Sequence, residues 1–332
     1  MSIQLPVKRN RGVSLVLTLL LFFLSHTGYT GMVTGNVEKL PVFRVGYLPV
    51  LAQLPLVISY DRDRYAYSHV RIELTKFTSY IALEAAFRVH AIDIAYLPVP
   101  TILKMKADGV DILIGDTLHR GGISLVAGAG YKEDSGGVLL LGAPGLGGNA
   151  QLLLDDYFAG SGGDNGRKFK IISVQLSDGV AAIERGQIDG ILFPEPYPTG
   201  ALMQVEGVER IFCDTGQRSY APLSALAFSR KKMSENTKGL SEWLASIEKS
   251  CALLEEDIHK YKGAQTVISQ QGYFGFNMEL VREALEHKGA TLTFGVERIK
   301  NSVLKNVVER MISEKLLLHS LDLDEALLRT YF

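Results

Sequence analysis

The residues able to do chemistry in this chain lie in short loops, each just after an apolar run. Gly145-x-Gly147-x-x-Ala150 comes nearest to a known cradle, because it follows the run Val138–Leu141 and opens a helical pattern. Glycines so placed let backbone N–H groups approach a phosphate or another oxyanion at a helix N-terminus. Three readings of it stand: an oxyanion or polar ligand held by Gly147, Gly148 and Asn149; a dinucleotide, with Asp178 as the ribose-binding acid; or a plain turn. Thr78 and Ser79 open another helix, where free N–H groups favour an anion and where either side chain also makes an ordinary cap. Arg120 is the best cation for an anionic ligand, since guanidinium grips oxyanions through two donors; a surface charge is its plainer role. Glu195, fixed between Pro194 and Pro196 and followed by Tyr197, could take an amine or ring N–H, or anchor Arg120 or a backbone amide. Tyr96 and Pro98 close a further apolar run, and Leu48 and Gln53 follow the first one.

What is missing matters equally. The chain has no G-x-S-x-G elbow and no G-K-[ST] phosphate loop. Its histidines, at 26, 69, 90, 119, 259, 287 and 319, are scattered without metal-ligand spacing. The sequence therefore points to no catalytic residue, no metal, no cofactor and no enzyme. It points to a protein that holds a small molecule unchanged.

The elements that must position these residues repeat one unit. Apolar runs at Phe43–Tyr47, Val70–Leu74 and Ile92–Tyr96 each end in a loop with Pro, Ser or Thr and pass into a helical pattern. Strands alternating with helices imply a parallel sheet, whose ligands sit outside the carboxyl ends of the strands. A second series runs from Val138 to Cys213, bracketed by the apolar strands Ile123–Ala127 and Pro222–Ser229. If the chain crosses over at the first and returns at the second, two α/β lobes meet across a cleft, joined by a two-strand hinge. After Ser234 the pattern reads as helical throughout. Trp243, Leu244, Ile247, Cys251 and Leu254 mark one amphipathic helix capped by Ser234 or Ser241, Val296–Leu318 a second, and Asp324–Tyr331 a short last one.

The chain has 332 residues, long for a single core. Its composition is ordinary, with 47% hydrophobic and 21% charged residues, and its net charge of −1 argues against nucleic-acid partners. Lys8, Arg9 and Arg11 precede the apolar run Gly12–Leu24 and the small polar stretch Ser25–Gly31, the pattern of an export signal that stays as an anchor if uncut. The reading of the two cysteines, Cys213 and Cys251, is that of buried hydrophobes rather than a disulfide.

Four segments carry a family resemblance: GYLPVLAQLPLVIS, the run from Val70 to Leu103, AAIERGQIDGILFPEPYPTGA and PLSALAFSRKKM. They are similar to the extracytoplasmic substrate-binding proteins of ABC importers, in the branch of nitrate, sulfonate and taurine binders that also holds thiamine-pyrimidine binders. The resemblance spans about Phe43 to Asp257. One signature is Glu73 with Phe77, followed by Ala91–Ile92–Asp93–Ile94–Ala95, where His90 or Ala91 replaces the usual Gly; the other is Gly186–Gln187–Ile188–Asp189 followed by Glu195–Pro196. The resemblance implies a type II periplasmic binding protein fold with a helical C-terminal region. Residues 1–31 are then the leader, 42–124 and 222–332 the first lobe, and 125–221 the second. It also implies a monomer that captures a small polar or anionic solute outside the cytoplasm and delivers it to a permease driven by an ATPase. It places the loops of Tyr96, Asn149 and Glu195 at the ligand. Rivals on the same fold are a pyrimidine-synthase-like enzyme, a nucleotide-binding oxidoreductase and a membrane-tethered sensor. The first is disfavoured because its relatives use a cysteine-rich motif.

Overall fold

The short apolar runs become strands. β1 (Val42–Tyr47), α1 (Leu54–Asp63), β2 (Arg71–Lys76), α2 (Tyr80–Arg88), β3 (Ile94–Pro98), α3 (Val99–Ala107) and β4 (Ile112–Ile114) alternate along the chain. β5 (Thr117–Arg120) leads to β6 (Ile123–Ala127), β7 (Val138–Ala143), α4 (Asn149–Gly160), β8 (Lys168–Ser173), α5 (Gly179–Glu184), β9 (Gly190–Pro194), α6 (Tyr197–Gln204) and β10 (Glu209–Cys213). β11 (Ser224–Ser229) is followed by α7 (Arg230–Glu235), α8 (Thr237–Tyr261), α9 (Ala264–Ser269), α10 (Met278–Glu286), β12 (Thr293–Glu297) and α11 (Asn301–Ser313). The structure is a computed structural model and describes residues 40–128, 138–145, 149–160, 168–214, 224–286 and 292–328. The leader and two candidate site residues, Gly147 and Gly148, lie outside the described residues.

Two five-stranded sheets form two lobes, ordered β2-β1-β3-β11-β4 and β10-β6-β9-β7-β8. The orders are the same when each sheet is read by its own strands: second, first, third, crossing strand, fourth. β1, β2 and β3 are parallel, as are β7, β8 and β9. The crossing strands β11 and β6 run antiparallel to both neighbours. Each sheet is therefore mixed, where the alternating pattern alone implies a parallel one.

The Ile-Asp pairs of the two signatures explain why the sheets match. The Asp93 carboxylate accepts the backbone N–H of Arg44 at 2.9 Å, and the Asp93 N–H donates to the Arg44 carbonyl at 2.7 Å. In the second sheet the Asp189 carboxylate accepts the N–H of Leu140 at 2.7 Å, and its own N–H donates to the Leu140 carbonyl at 2.9 Å. Each aspartate carbonyl then accepts from the crossing strand or its end, Ser229 N–H for Asp93 and Gly128 N–H for Asp189, both at 2.9 Å. Close packing accompanies the lock. A Cβ at Gly46 would fall 2.5 Å from Ile92, and one at Gly142 would fall 3.0 Å from Ile188. The motif thus sets register between first, third and crossing strands, and it does so twice.

Departures from the sequence pattern have local causes. β4 is followed by β5 instead of a helix. β12 pairs antiparallel with β5 and buries only Phe294, too little alternation to announce a strand. The helical run read from Val296 starts at Asn301. Asp324–Ala326 are turns, and Leu327 bridges to Ile114 where a terminal helix is expected. α8 buries Leu240, Trp243, Ile247, Cys251 and Leu254, and its cap is Asn236, whose side chain accepts from the Gly239 N–H at 3.0 Å. Ser234 instead donates to the Lys231 carbonyl in α7. Cys213 and Cys251 are both free, and burial pushes the Cys251 thiol up to about 12. One apolar cluster runs from Leu48 and Leu97 through Leu152 and Phe193 to Leu304 and Met311, so the core is continuous between the lobes.

Candidate functional site

The carboxyl ends of the strands face one cavity of about 120 Å³. Its first-lobe wall includes Ala52 before α1, Tyr80 and Glu84 on α2, and Pro98 and Thr101 around the start of α3. Its second-lobe wall includes Pro144, Asn149 and Leu153 at the start of α4, with Leu192 and Pro194 from β9. His119 of β5 and Ser224 of β11 close the hinge side beside Gly122. Pro98 and Pro194 hold equivalent places, each ending the third strand of its sheet. The sequence repeats there too: Ile92-Asp93-x-x-x-x-Pro98-x-Pro100 matches Ile188-Asp189-x-x-x-x-Pro194-x-Pro196. Gly145 also lines the cavity, so the glycine-rich turn does reach it.

Of the candidate residues, Pro98 and Asn149 line this cavity. Ser79 borders a smaller adjoining pocket with Pro144 and Ser173, and its hydroxyl caps α2 by accepting the Ala82 N–H at 3.1 Å. Thr78 is exposed. Gln53 is buried and fully engaged: its carbonyl accepts the Leu48 N–H at 2.8 Å, and its amide donates to the Tyr96 carbonyl at 3.1 Å. Leu48 and Gln53 therefore tie two strand-end loops together and add no side chain to the cavity wall. Tyr96 stands behind the wall, with its hydroxyl 2.8 Å from His119 Nδ1 and 3.1 Å from Thr117 Oγ1.

The charged candidates are committed elsewhere. Arg120 pairs with Glu297 through both guanidinium and carboxylate edges, across β5 and β12, away from the cavity. Glu195 is buried, with one oxygen 2.8 Å from Arg210 Nη1 and the other accepting the Thr199 N–H at 3.3 Å. Arg210 also reaches Ser124 and Thr199. Glu195 thus anchors Arg210, not Arg120, inside the second lobe; its backbone carbonyl accepts the Leu51 N–H at 2.8 Å and links the lobes. Tyr197 packs edge-on to Phe193 and Phe276, and burial pushes its phenol up to about 12.

Tyr80, which opens α2 with Thr78 and Ser79, is the residue of that helix start that lines the cavity; the residues that motif reading passed over are Glu84, Thr101 and Ser224, together with His119, which the sequence offered only as a neighbour of Arg120. Thr101 had a signal in the repeat, as the counterpart of Tyr197. Burial holds the His119 imidazole down to about 4, so it is neutral at neutral pH. Glu84 is bound by Arg88 one turn on, at 2.7 Å. Among the described lining residues none is Lys or Arg. The site offers hydroxyls, an imidazole, an amide and one carboxylate over an apolar floor. That combination can hold and orient a small molecule.

Solved structures share this arrangement of lobes. The ligand-binding component of an ABC-type import system from Staphylococcus aureus superimposes with a TM-score of 0.75 at 17% identity, covering 88% of this chain and 97% of that one. The periplasmic nitrate-binding protein of Synechocystis PCC 6803 gives 0.73 at 15% identity, covering 85% and 83%. The periplasmic aliphatic sulphonate binding protein of Escherichia coli gives 0.69 at 15% identity, covering 88% and 99%. The fold is that of the periplasmic binding proteins. No curated protein matches the chain in sequence. The NMT1-like family model matches residues 36–268, which include both Ile-Asp locks and every described lining residue of the cavity. The chain belongs to the NMT1-like family.

Proposed function

We propose that this chain is the extracytoplasmic solute-binding component of an ABC-type import system. It captures a small polar solute between its lobes and presents the closed form to a permease. The observation that carries this reading is the cavity itself: both lobes contribute polar side chains to a space of about 120 Å³ beside the crossing at Gly122. The solved structures of the same fold, which include ligand-binding components for import, support it. Among the described residues no hydroxyl of the walls is hydrogen-bonded to the His119 imidazole or the Glu84 carboxylate, which favours binding over catalysis. A dinucleotide is far too large for the space, so Gly145 serves as a turn that brings the start of α4 to the solute. Export through the basic and apolar leader, function as a monomer and handover to a permease with its ATPase belong to the same proposal.

A thermal-shift screen tests it, because a solute that binds only the folded state raises the melting temperature by mass action. Small polar solutes, including nitrate, sulfonates, taurine and neutral heterocycles, should produce at least one saturable rise. Asn149→Ala should reduce that rise with the unliganded melting temperature kept. No rise with any solute, together with measurable NAD(H) binding, would replace this reading with the oxidoreductase one.

A further inference from the structure

The polar groups of the cavity that lack a partner stand on one side of it. Among the described residues, the side-chain hydroxyls of Tyr80, Thr101 and Ser224 make no hydrogen bond, although each residue lines the cavity. His119 lines it too; its Nδ1 meets the Tyr96 hydroxyl at 2.8 Å, and its Nε2 has no partner. Ser224 and His119 are only 7% and 5% exposed. Tyr80 lies on α2, Thr101 on α3 and Ser224 on β11, all in the first lobe, and His119 is tied there by Tyr96 of β3. A polar group withdrawn from bulk water without a partner is unfavourable, so these groups require the polar atoms of a solute or its water. Each hydroxyl can donate or accept, so the set does not select the charge of what it meets.

The opposite wall differs. Ile123, Pro144, Ala150, Leu153, Leu192 and Pro194 bring apolar atoms from the second lobe. Among the described residues Asn149 is the only polar side chain on that wall. A solute polar all round would leave part of its surface unpaired against those side chains. A hydrocarbon surface placed there gains instead, by about fourfold in affinity for each methylene buried. A cavity of roughly 150 Å³ admits a benzene ring, and about 120 Å³ leaves room for a head group and a few carbons. We propose that the cleft takes a one-sided solute: a single polar head bound by Tyr80, Thr101, His119 and Ser224, and a short hydrocarbon body covered by the second lobe. The proposal rests on the solute-binding reading above and deepens it by assigning one part of the solute to each lobe. Thr101 and Ser224 then set how strongly the head is held, and Ile123 sets what the body must be.

Calorimetry on matched series tests it, with the head held constant and the body grown from one to three carbons: alkyl sulfonates, carboxylates and carboxamides. In a series that binds, affinity should rise by about fourfold per added methylene. Thr101→Val and Ser224→Ala each remove a hydroxyl with little change of shape. Both should keep the unliganded melting temperature, since neither hydroxyl has a partner in the fold, and both should weaken every member of the series by a similar factor, about threefold to tenfold. Ile123→Thr, which keeps a branched strand side chain, should spare the shortest member and weaken the longest by about twofold or more. A general defect of the fold would not divide into a parallel shift for the head and a changed slope for the body. Affinity that stays flat or falls as the body grows overturns the proposal and leaves solute binding standing. So do head variants within about twofold of the original across the series, and so does binding by none of the series when another solute in the broad screen raises the melting temperature. No rise with any solute overturns both readings.

Discussion

His119 has a consequence at acid pH as well as at the cleft. Burial holds its pKa down to about 4 in the folded protein, against about 6.5 in an unfolded chain. The unfolded state takes the proton first. Stability contributed by the neutral imidazole is therefore complete above about pH 6.5, is lost as pH falls from there to about 4, and declines no further below. The shift corresponds to a loss on the order of 3 kcal/mol. Carboxylates titrate over part of the same range, so the informative quantity is a difference. Urea unfolding of the native protein should lose stability more steeply between pH 6.5 and 4 than that of His119→Leu. Parallel profiles would show that the fold does not hold this ring neutral. At this scale residue type was a poor guide to the site. Arg120 and Glu195 carried the most suggestive charges, yet their partners Glu297 and Arg210 take both out of the cavity. Those partners stand 177 and 15 residues away, and no local pattern names them.

The Ile-Asp lock is the informative element, because it recurs with one difference. Asp93 is buried and also holds the Arg44 guanidinium, through Nε at 3.0 Å and Nη2 at 2.7 Å. Asp189 is exposed and accepts the Leu140 N–H alone. Removing Asp93 strands a backbone donor and a guanidinium, whereas water can replace Asp189. Asp93→Ala should cost about 2–3 kcal/mol of unfolding free energy and Asp189→Ala about 1 kcal/mol. Equal costs in denaturant titrations would mean that the two locks are not graded by burial. The lock also shows what the sequence made legible. Apart from β4 and β5, the order of strands and helices up to Cys213 was readable, and Ile123–Ala127 is β6 to the residue, because buried strands are continuous apolar runs. The repeat Ile-Asp-x4-Pro-x-Pro went unread, because only the sheet gives it meaning: its aspartate joins strands 49 residues apart in each lobe. β12 was not legible, since its only buried side chain is Phe294 and its partner β5 lies far back in the chain. His119 and Ser224 escaped notice for a related reason. They reach the cavity from β5 and the crossing strand β11, outside the strand-to-helix loops where a parallel sheet directs attention.

The whole molecule is drawn together by contacts that bridge the lobes away from the crossings. Arg310 of α11 pairs with Asp156 of α4 at 2.6 Å, while α11 packs on α3 of the first lobe. Phe276, before α10, meets Tyr197 of α6 edge-on. The chain crosses beside these at Gly121 and Gly122, with φ of 69° and 79°, a left-handed backbone that only glycine adopts without strain. A solute enclosed from both lobes requires them to part and close again, and closure must then be weighted by such bridges. The Arg310–Asp156 pair is partly exposed, with 30% and 17% of the two side chains accessible. Pairs of that kind contribute about 0.2–1 kcal/mol, which is at most about a fivefold shift in the closed population. Arg310→Ala should therefore raise the Kd of the best solute from the screen by up to about fivefold. The radius of gyration of the unliganded protein in X-ray scattering should rise, and the melting temperature should barely move. A loss far beyond fivefold would mean that the substitution damages the cavity itself. An unchanged Kd with unchanged scattering would show that α11 has no part in closing the lobes.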